Sequence, residues 1–203
     1  MIIVRFADDF VAGFEHQEDA QRFLADLRER FAKFGLELHP DKTRLLEFGR
    51  RATRQRAARG LGKPETFDFL GFTHLCGKTR TGRFWLRRIT ISKRMRAKLS
   101  EVNTSLKRRR HQPIPVQGQW LASVVRGHLA YYAVPGNTDA VAAFRTQVTR
   151  HWFKALRRRS QRTRLNWTRM NRLATRWLPP ARVRHPFPNV RFDATTRGRS
   201  PVR

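Results

Sequence analysis

The apolar residues of this chain change their period at Ser92, and that switch limits what the chain can fold into. Up to residue 91, apolar residues fall mostly in short β-favouring runs, with one helical stretch. From Ser92 onward they recur every three or four residues, the signature of helices with one buried face. The expected fold class is therefore α+β, with an antiparallel sheet and helix over 1–91, a basic all-helical bundle over 92–180 and an extended Arg- and Pro-rich tail over 181–203.

In the first part, Ile2–Val4 and Phe10–Phe14 flank Asp8-Asp9, as two strands would flank a tight turn. Ala20, Phe23, Leu24, Leu27, Phe31 and Phe34 make a stripe, so Glu15 to Phe34 is expected to be a core-packing helix closed by Gly35. Short strands are expected at Leu36–Leu38 and Leu45–Phe48, joined by a Pro40-Asp41 turn that carries Lys42. Arg50 to Pro64 reads as a basic, mobile connection. Phe67–Thr73 and Trp85–Ile91 then pair across a polar turn. In the second part, Ser92 reads as an N-cap above the stripe Met95, Leu99, Val102 and Leu106. Pro113 and Pro115 break the chain. Helices follow at Gln119–Ala133, from a Thr138 cap to Leu156, and at Arg169–Leu178.

Charge narrows the partner. The chain has 44 Lys and Arg against 15 Asp and Glu, for a net +29. Residues 1–49 hold 7 basic and 10 acidic residues, while residues 50–203 hold 37 and 5. Arginine in such excess, interleaved with Trp and Phe, points to a polyanion, most simply nucleic acid. No apolar run is long enough to cross a bilayer and no secretory signal opens the chain, so cytoplasmic residence without membrane attachment is the expectation. Cys76 is the single cysteine and reads as a small, inert, semi-buried residue.

Two adjacent carboxylates repel each other unless a cation sits beside them, and a hard divalent metal is the usual remedy. A solvated Asp-Asp turn is the alternative on these residues alone.

Four blocks then occur in a set order: Phe6-Ala7-Asp8-Asp9; Gly35-Leu36-x-Leu38 with Lys42-Thr43; Phe67-x-Phe69-Leu70-Gly71-Phe72; and Arg126-Gly127-x-x-x-Tyr131-Tyr132. Together they resemble the C-terminal half of a group II intron-encoded reverse transcriptase/maturase. The resemblance implies a partial reverse-transcriptase palm followed by a thumb and maturase-specific region. It implies that Asp8 and Asp9 are catalytic ligands of Mg²⁺, with Asp8 the stronger, and that Phe6 replaces a usual tyrosine. It makes Lys42 a catalytic lysine near the nucleotide's phosphates, with an exposed turn lysine as the alternative. Phe69, Leu70, Gly71 and Phe72 become the primer grip, where an ordinary buried hairpin is the alternative. The nucleic-acid contacts are expected among Arg87, Arg88, Lys93, Arg94, Lys107, Arg108, Arg109, Arg110, Arg126, Arg157, Arg158 and Arg159.

The implied partners are group II intron RNA and an RNA template with a DNA primer. The family's third carboxylate and its fingers lie upstream of the Asp-Asp hairpin, whereas Met1 stands just before it. This chain is accordingly expected to be a fragment, inactive as a polymerase by itself, with an N-terminal fragment as a possible complement. A non-catalytic binder of structured RNA and a decayed or misannotated reading frame are the alternatives.

Overall fold

In the computed structural model, which describes residues 1–160 and 164–187, the chain is α+β and divides into two units. The first comprises residues 1–70 and 74–86. The second comprises residues 71–73 and 87 onward.

The first unit opens with β1 (Ile2–Phe6) and β2 (Asp9–Gly13), antiparallel and in register from Ile2 opposite Gly13 to Phe6 opposite Asp9. The turn between them is therefore the two residues Ala7 and Asp8. Ala7 sits at φ 54°, a left-handed conformation that a tight hairpin demands and that Ala tolerates poorly. Helix α1 (Gln17–Ala32) follows and ends as its sequence indicates. Gly35 at φ 66° lets Leu36 N–H reach Phe31 O at 2.9 Å and Gly35 N–H reach Ala32 O at 3.0 Å, the paired bonds of a Schellman close.

Three expectations fail in this unit. The α1 stripe does not enter a core: Ala20 is its buried residue, Phe23, Leu24, Leu27 and Phe31 are half-buried, and Phe34 is exposed. Residues 36–38 and 45–48 form no strands. Pro40 supplies no N–H for a ladder, Lys42 and Thr43 turn back onto His39 O, and Glu47 is drawn to Arg56 and Arg59 instead of a neighbouring strand. Finally, the segment read as a mobile connection contains α2 (Arg50–Ala58). Its alanines and arginines are good helix formers, and Gly49, at φ 104°, provides the bend into it. The two guanidiniums bonded to Glu47 hold its carboxyl below the usual carboxylate range. Cys76, buried and free, accepts from Gly49 N–H at 3.3 Å.

A three-stranded sheet in the order β3 (Phe67–Phe69), β4 (Phe72–Lys78), β5 (Phe84–Thr90) is cut by the division between units. The segment expected as one strand over 67–73 is two, because Leu70 (φ 49°) and Gly71 (φ 79°) are both left-handed and form a two-residue turn of the I′ kind.

The second unit holds the core. Helices α3 (Ser92–Arg108) and α4 (Ile114–Tyr132) pack on α5 (Thr138–Arg157), and α6 (Trp167–Trp177) packs on α4 and α5. The stripes predicted from the sequence point inward. Leu99, Val102 and Leu106 of α3 meet Leu121, Val125 and Leu129 of α4 and Val141, Phe144, Val148 and Trp152 of α5 in one buried cluster. The helix starts differ from expectation. Ser92 and Thr138 are first residues of helices rather than side-chain caps, and α4 begins at Ile114 instead of Gln119, with Pro113 before it and Pro115 in its first turn. Asn137 precedes α5 with its side chain turned elsewhere: it accepts from Thr90 N–H at 2.9 Å and donates to Thr90 Oγ1 and Tyr132 O at 2.8 Å each. Residues 181–187 run without regular structure, held by Arg184 N–H on Ala133 O at 2.8 Å and by His185 Nε2 2.7 Å from Ala130 O. The rest of the expected tail, 188–203, lies outside the described residues.

Candidate nucleic-acid interface

Asp8 and Asp9 share the hairpin tip but not the same local structure. Asp8 is the second turn residue, whereas Asp9 begins β2 opposite Phe6; both are exposed. Arg5 Nε donates to Ala7 O at 2.8 Å, which places a guanidinium beside the turn. Among the described residues no third His, Cys, Asp or Glu gathers with them. Two exposed carboxylates fall short of the donors a two-metal pair requires. Lys42 is exposed on the turn after Pro40, and no ion pair among the described residues ties it to either aspartate.

The turn expected as a primer grip is built from two of the four sequence blocks. Phe72 is buried, stacks on Tyr131 at 5.7 Å and meets the Tyr132 ring edge-on at 5.3 Å. A Cβ added at Gly71 would lie 3.1 Å from Tyr132 Oη and 3.4 Å from Arg94 Nη1. Ile91 N–H donates to Gly71 O at 3.2 Å. So the tyrosine pair of α4 and the first turn of α3 hold this corner, and its φ of 79° and the close Tyr132 hydroxyl both favour glycine. Phe69, half-buried on β3, lies 6.4 Å from His74, and Leu70 is half-buried at the turn.

The basic residues separate into those offered to solvent and those used inside. Lys93, Arg94, Lys107, Arg108, Arg126, Arg157 and Arg158 are exposed. Arg87 and Arg88 are half-buried on β5, and burial draws the Arg88 guanidinium below its ordinary value. Arg109 lies over Trp120 at 5.1 Å. Arg159 Nη2 donates to His111 O at 3.2 Å and to Gln112 O at 3.0 Å. That clamp joins the end of α5 to the α3–α4 turn. The basic runs 107–110 and 157–159, far apart in sequence, thereby meet at one end of the bundle. Gln117 secures the same turn from within. Fully buried, it shares its amide among Arg109 O, Arg110 O and Gln112 O and accepts from Trp152 Nε1 at 2.9 Å. Glu101 and Asp139 are the sole acids between residues 87 and 187, and Glu101 is paired with Lys98. Such an end attracts polyanions and has almost no internal countercharge.

Sequence reading missed two kinds of residue here. Arg145, a surface arginine by pattern, donates to Pro179 O at 2.9 Å and Ala174 O at 3.1 Å, so it closes the C-terminus of α6. Gln117 lies before the helix expected from Gln119, so no periodicity in the sequence marked it as buried.

Residues 1–74 match the family model for reverse transcriptase (RNA-dependent DNA polymerase). The matched span contains the Asp-Asp hairpin, Lys42, α2 and the Leu70-Gly71 turn, and it ends before α3 begins. No curated protein matches the chain.

Proposed function

We propose that this chain is a nucleic-acid-holding part of an RNA-directed DNA polymerase of the group II intron maturase kind, with its helical unit gripping structured RNA or a template–primer. The observation that carries this reading is the Arg159 clamp, which merges two basic runs into one cationic end of the bundle. The similarity of residues 1–74 to a reverse transcriptase domain supports the polymerase side of the reading.

In this account Asp8 and Asp9 hold one hydrated Mg²⁺, which when bound supplies charge to polarise a phosphoryl oxygen. Lys42 offsets negative charge on phosphate, and the Leu70-Gly71 corner, held by Tyr132 and Arg94, presents backbone toward a primer strand. Nucleotidyl transfer needs further donors, so the isolated chain binds without polymerising; a fragment carrying another carboxylate would complete the site.

The test is equilibrium binding of a folded intron-type RNA to the purified chain, comparing wild type with an Arg108→Ala, Arg158→Ala double variant. Both residues are exposed, so the fold tolerates the change. The expected result is about tenfold weaker binding and a salt slope flatter by roughly 2. Unchanged affinity and slope would remove the cationic end from the account.

A further inference from the structure

We infer that the cleft between α5 and α6 is a seat for a single unpaired nucleotide, with its base stacked on Trp167 and its phosphate on Arg150. This rests on the reading of the helical unit as a nucleic-acid holder, but the site lies outside the basic runs that carry that reading. The cleft is open to solvent and offers about 410 Å³, within the range of small-ligand pockets. Arg145, Thr146 and Arg150 line it from α5, and Trp167, Asn171 and Thr175 from α6.

Each wall has a chemistry that suits a nucleotide. Trp167 is 47% exposed, unusual for so large an apolar side chain, yet its ring is not loose. It stacks on the buried Phe153 at 4.3 Å and 25°, and Asn166 caps the helix directly before it by accepting from Arg169 N–H at 3.0 Å. A half-exposed ring fixed by Phe153 at the cleft's edge is a stacking platform for a base. Asn171 is exposed one turn along α6 and offers an amide that can both donate to and accept from a base edge. Arg150 is exposed, with no hydrogen bond or ion pair among the described residues, whereas Arg145 is fixed by its bonds to Pro179 and Ala174 and contributes standing positive charge. Among the described residues no acid lines the cleft, which disfavours a cationic peptide. A paired base keeps its faces covered, so the occupant is an unstacked nucleotide such as a bulge, a loop residue or a free strand.

The test measures anisotropy of two labelled RNAs with matched phosphate counts, an unstructured strand and a perfect duplex, against the full chain. Trp167→Ala is expected to weaken the unstructured strand about tenfold and the duplex less than twofold, since only an unstacked base can lie on the ring. Trp167→Phe keeps a ring and should stay within about threefold of wild type, while Arg150→Gln should weaken the single strand severalfold. If Trp167→Ala disturbs the fold by circular dichroism, Arg150→Gln and Asn171→Ala decide instead. The inference is overturned if these variants leave the single strand unaffected or weaken both RNAs equally. Wild type binding only the duplex removes the cleft and spares the clamp. Binding only the single strand, lost in the variants, keeps the cleft and removes the clamp. Binding neither removes both.

Discussion

Lowering the pH should destabilise the helical unit through one residue, His128. Its ring is buried on α4 and stacks on Phe144 at 3.6 Å and 11°, and its Nε2 has no hydrogen-bond partner among the described residues. Burial first, and the nearby Lys98 of α3 second, lower its pKa to about 4. An unfolded histidine takes its proton near pH 6.5, so between that pH and about 4 the unfolded chain binds a proton that the folded chain refuses. Stability is therefore full above pH 6.5, falls as the pH drops through that window, and levels off for this group below about 4. The full shift corresponds to roughly 3 kcal/mol, and solvent screening brings the expected loss to about 2 kcal/mol. The assay is urea unfolding at pH 7.5, 5.5 and 4, followed by tryptophan fluorescence, since Trp152 is fully buried in the same core. Other groups contribute as well, His151 among them, whose pKa burial also lowers. They cancel when wild type is compared with His128→Phe, which keeps a ring and removes the titration. The variant should lose about 2 kcal/mol less than wild type on acidification. Parallel pH curves for the two proteins would show that His128 is not the proton-sensitive group.

Two other outcomes follow from local geometry. Gly118→Ala places a Cβ 2.5 Å from Cδ2 of Trp177, a ring atom that cannot swing aside, so the ~1 kcal/mol helix gain is outweighed by ~1–3 kcal/mol of overpacking and thermal melting should move downward. An unchanged or raised midpoint would show that α4 and α6 part easily. Primer extension by the isolated chain, given Mg²⁺, nucleotides and a primed RNA, should yield no product. Extension that disappears in Asp8→Ala would contradict the donor argument.

The helical unit was the legible part of this chain because a buried face writes itself into spacing. Leu99, Val102 and Leu106 recur every three or four residues and all three are buried. Helix starts were harder. Ser92 and Thr138 carry the residue type of a cap, but the helices begin on them, and Asn137 is used by Thr90 and Tyr132 instead. Strand expectations for 36–38 and 45–48 failed because alternation describes a pleat without supplying a partner. Glu47 found its partners in a helix that Arg50–Ala58 had concealed behind its charge. The Asp-Asp hairpin was legible from its two flanking runs, yet its exact register was not: Asp9 belongs to the strand and Ala7 takes the strained turn position. Ile2, Ile3, Val4 and Phe6 remain exposed on β1, so the apolar character that marked the strand did not forecast its burial. At the cationic end, the two arginine runs were visible separately. Their meeting depends on Arg159 and Gln117, whose long-range bonds leave no periodic trace.

The most direct measurement is the salt dependence of RNA affinity for the intact chain between 50 and 200 mM, a span taken from the usual range for such titrations. If Lys107, Arg108, Arg157 and Arg158 each engage a phosphate, log Kd against log salt should have a slope of magnitude roughly 4, a loss of affinity of about two orders across that span. A slope of magnitude below about 1 would mean that this end of the bundle does not hold nucleic acid.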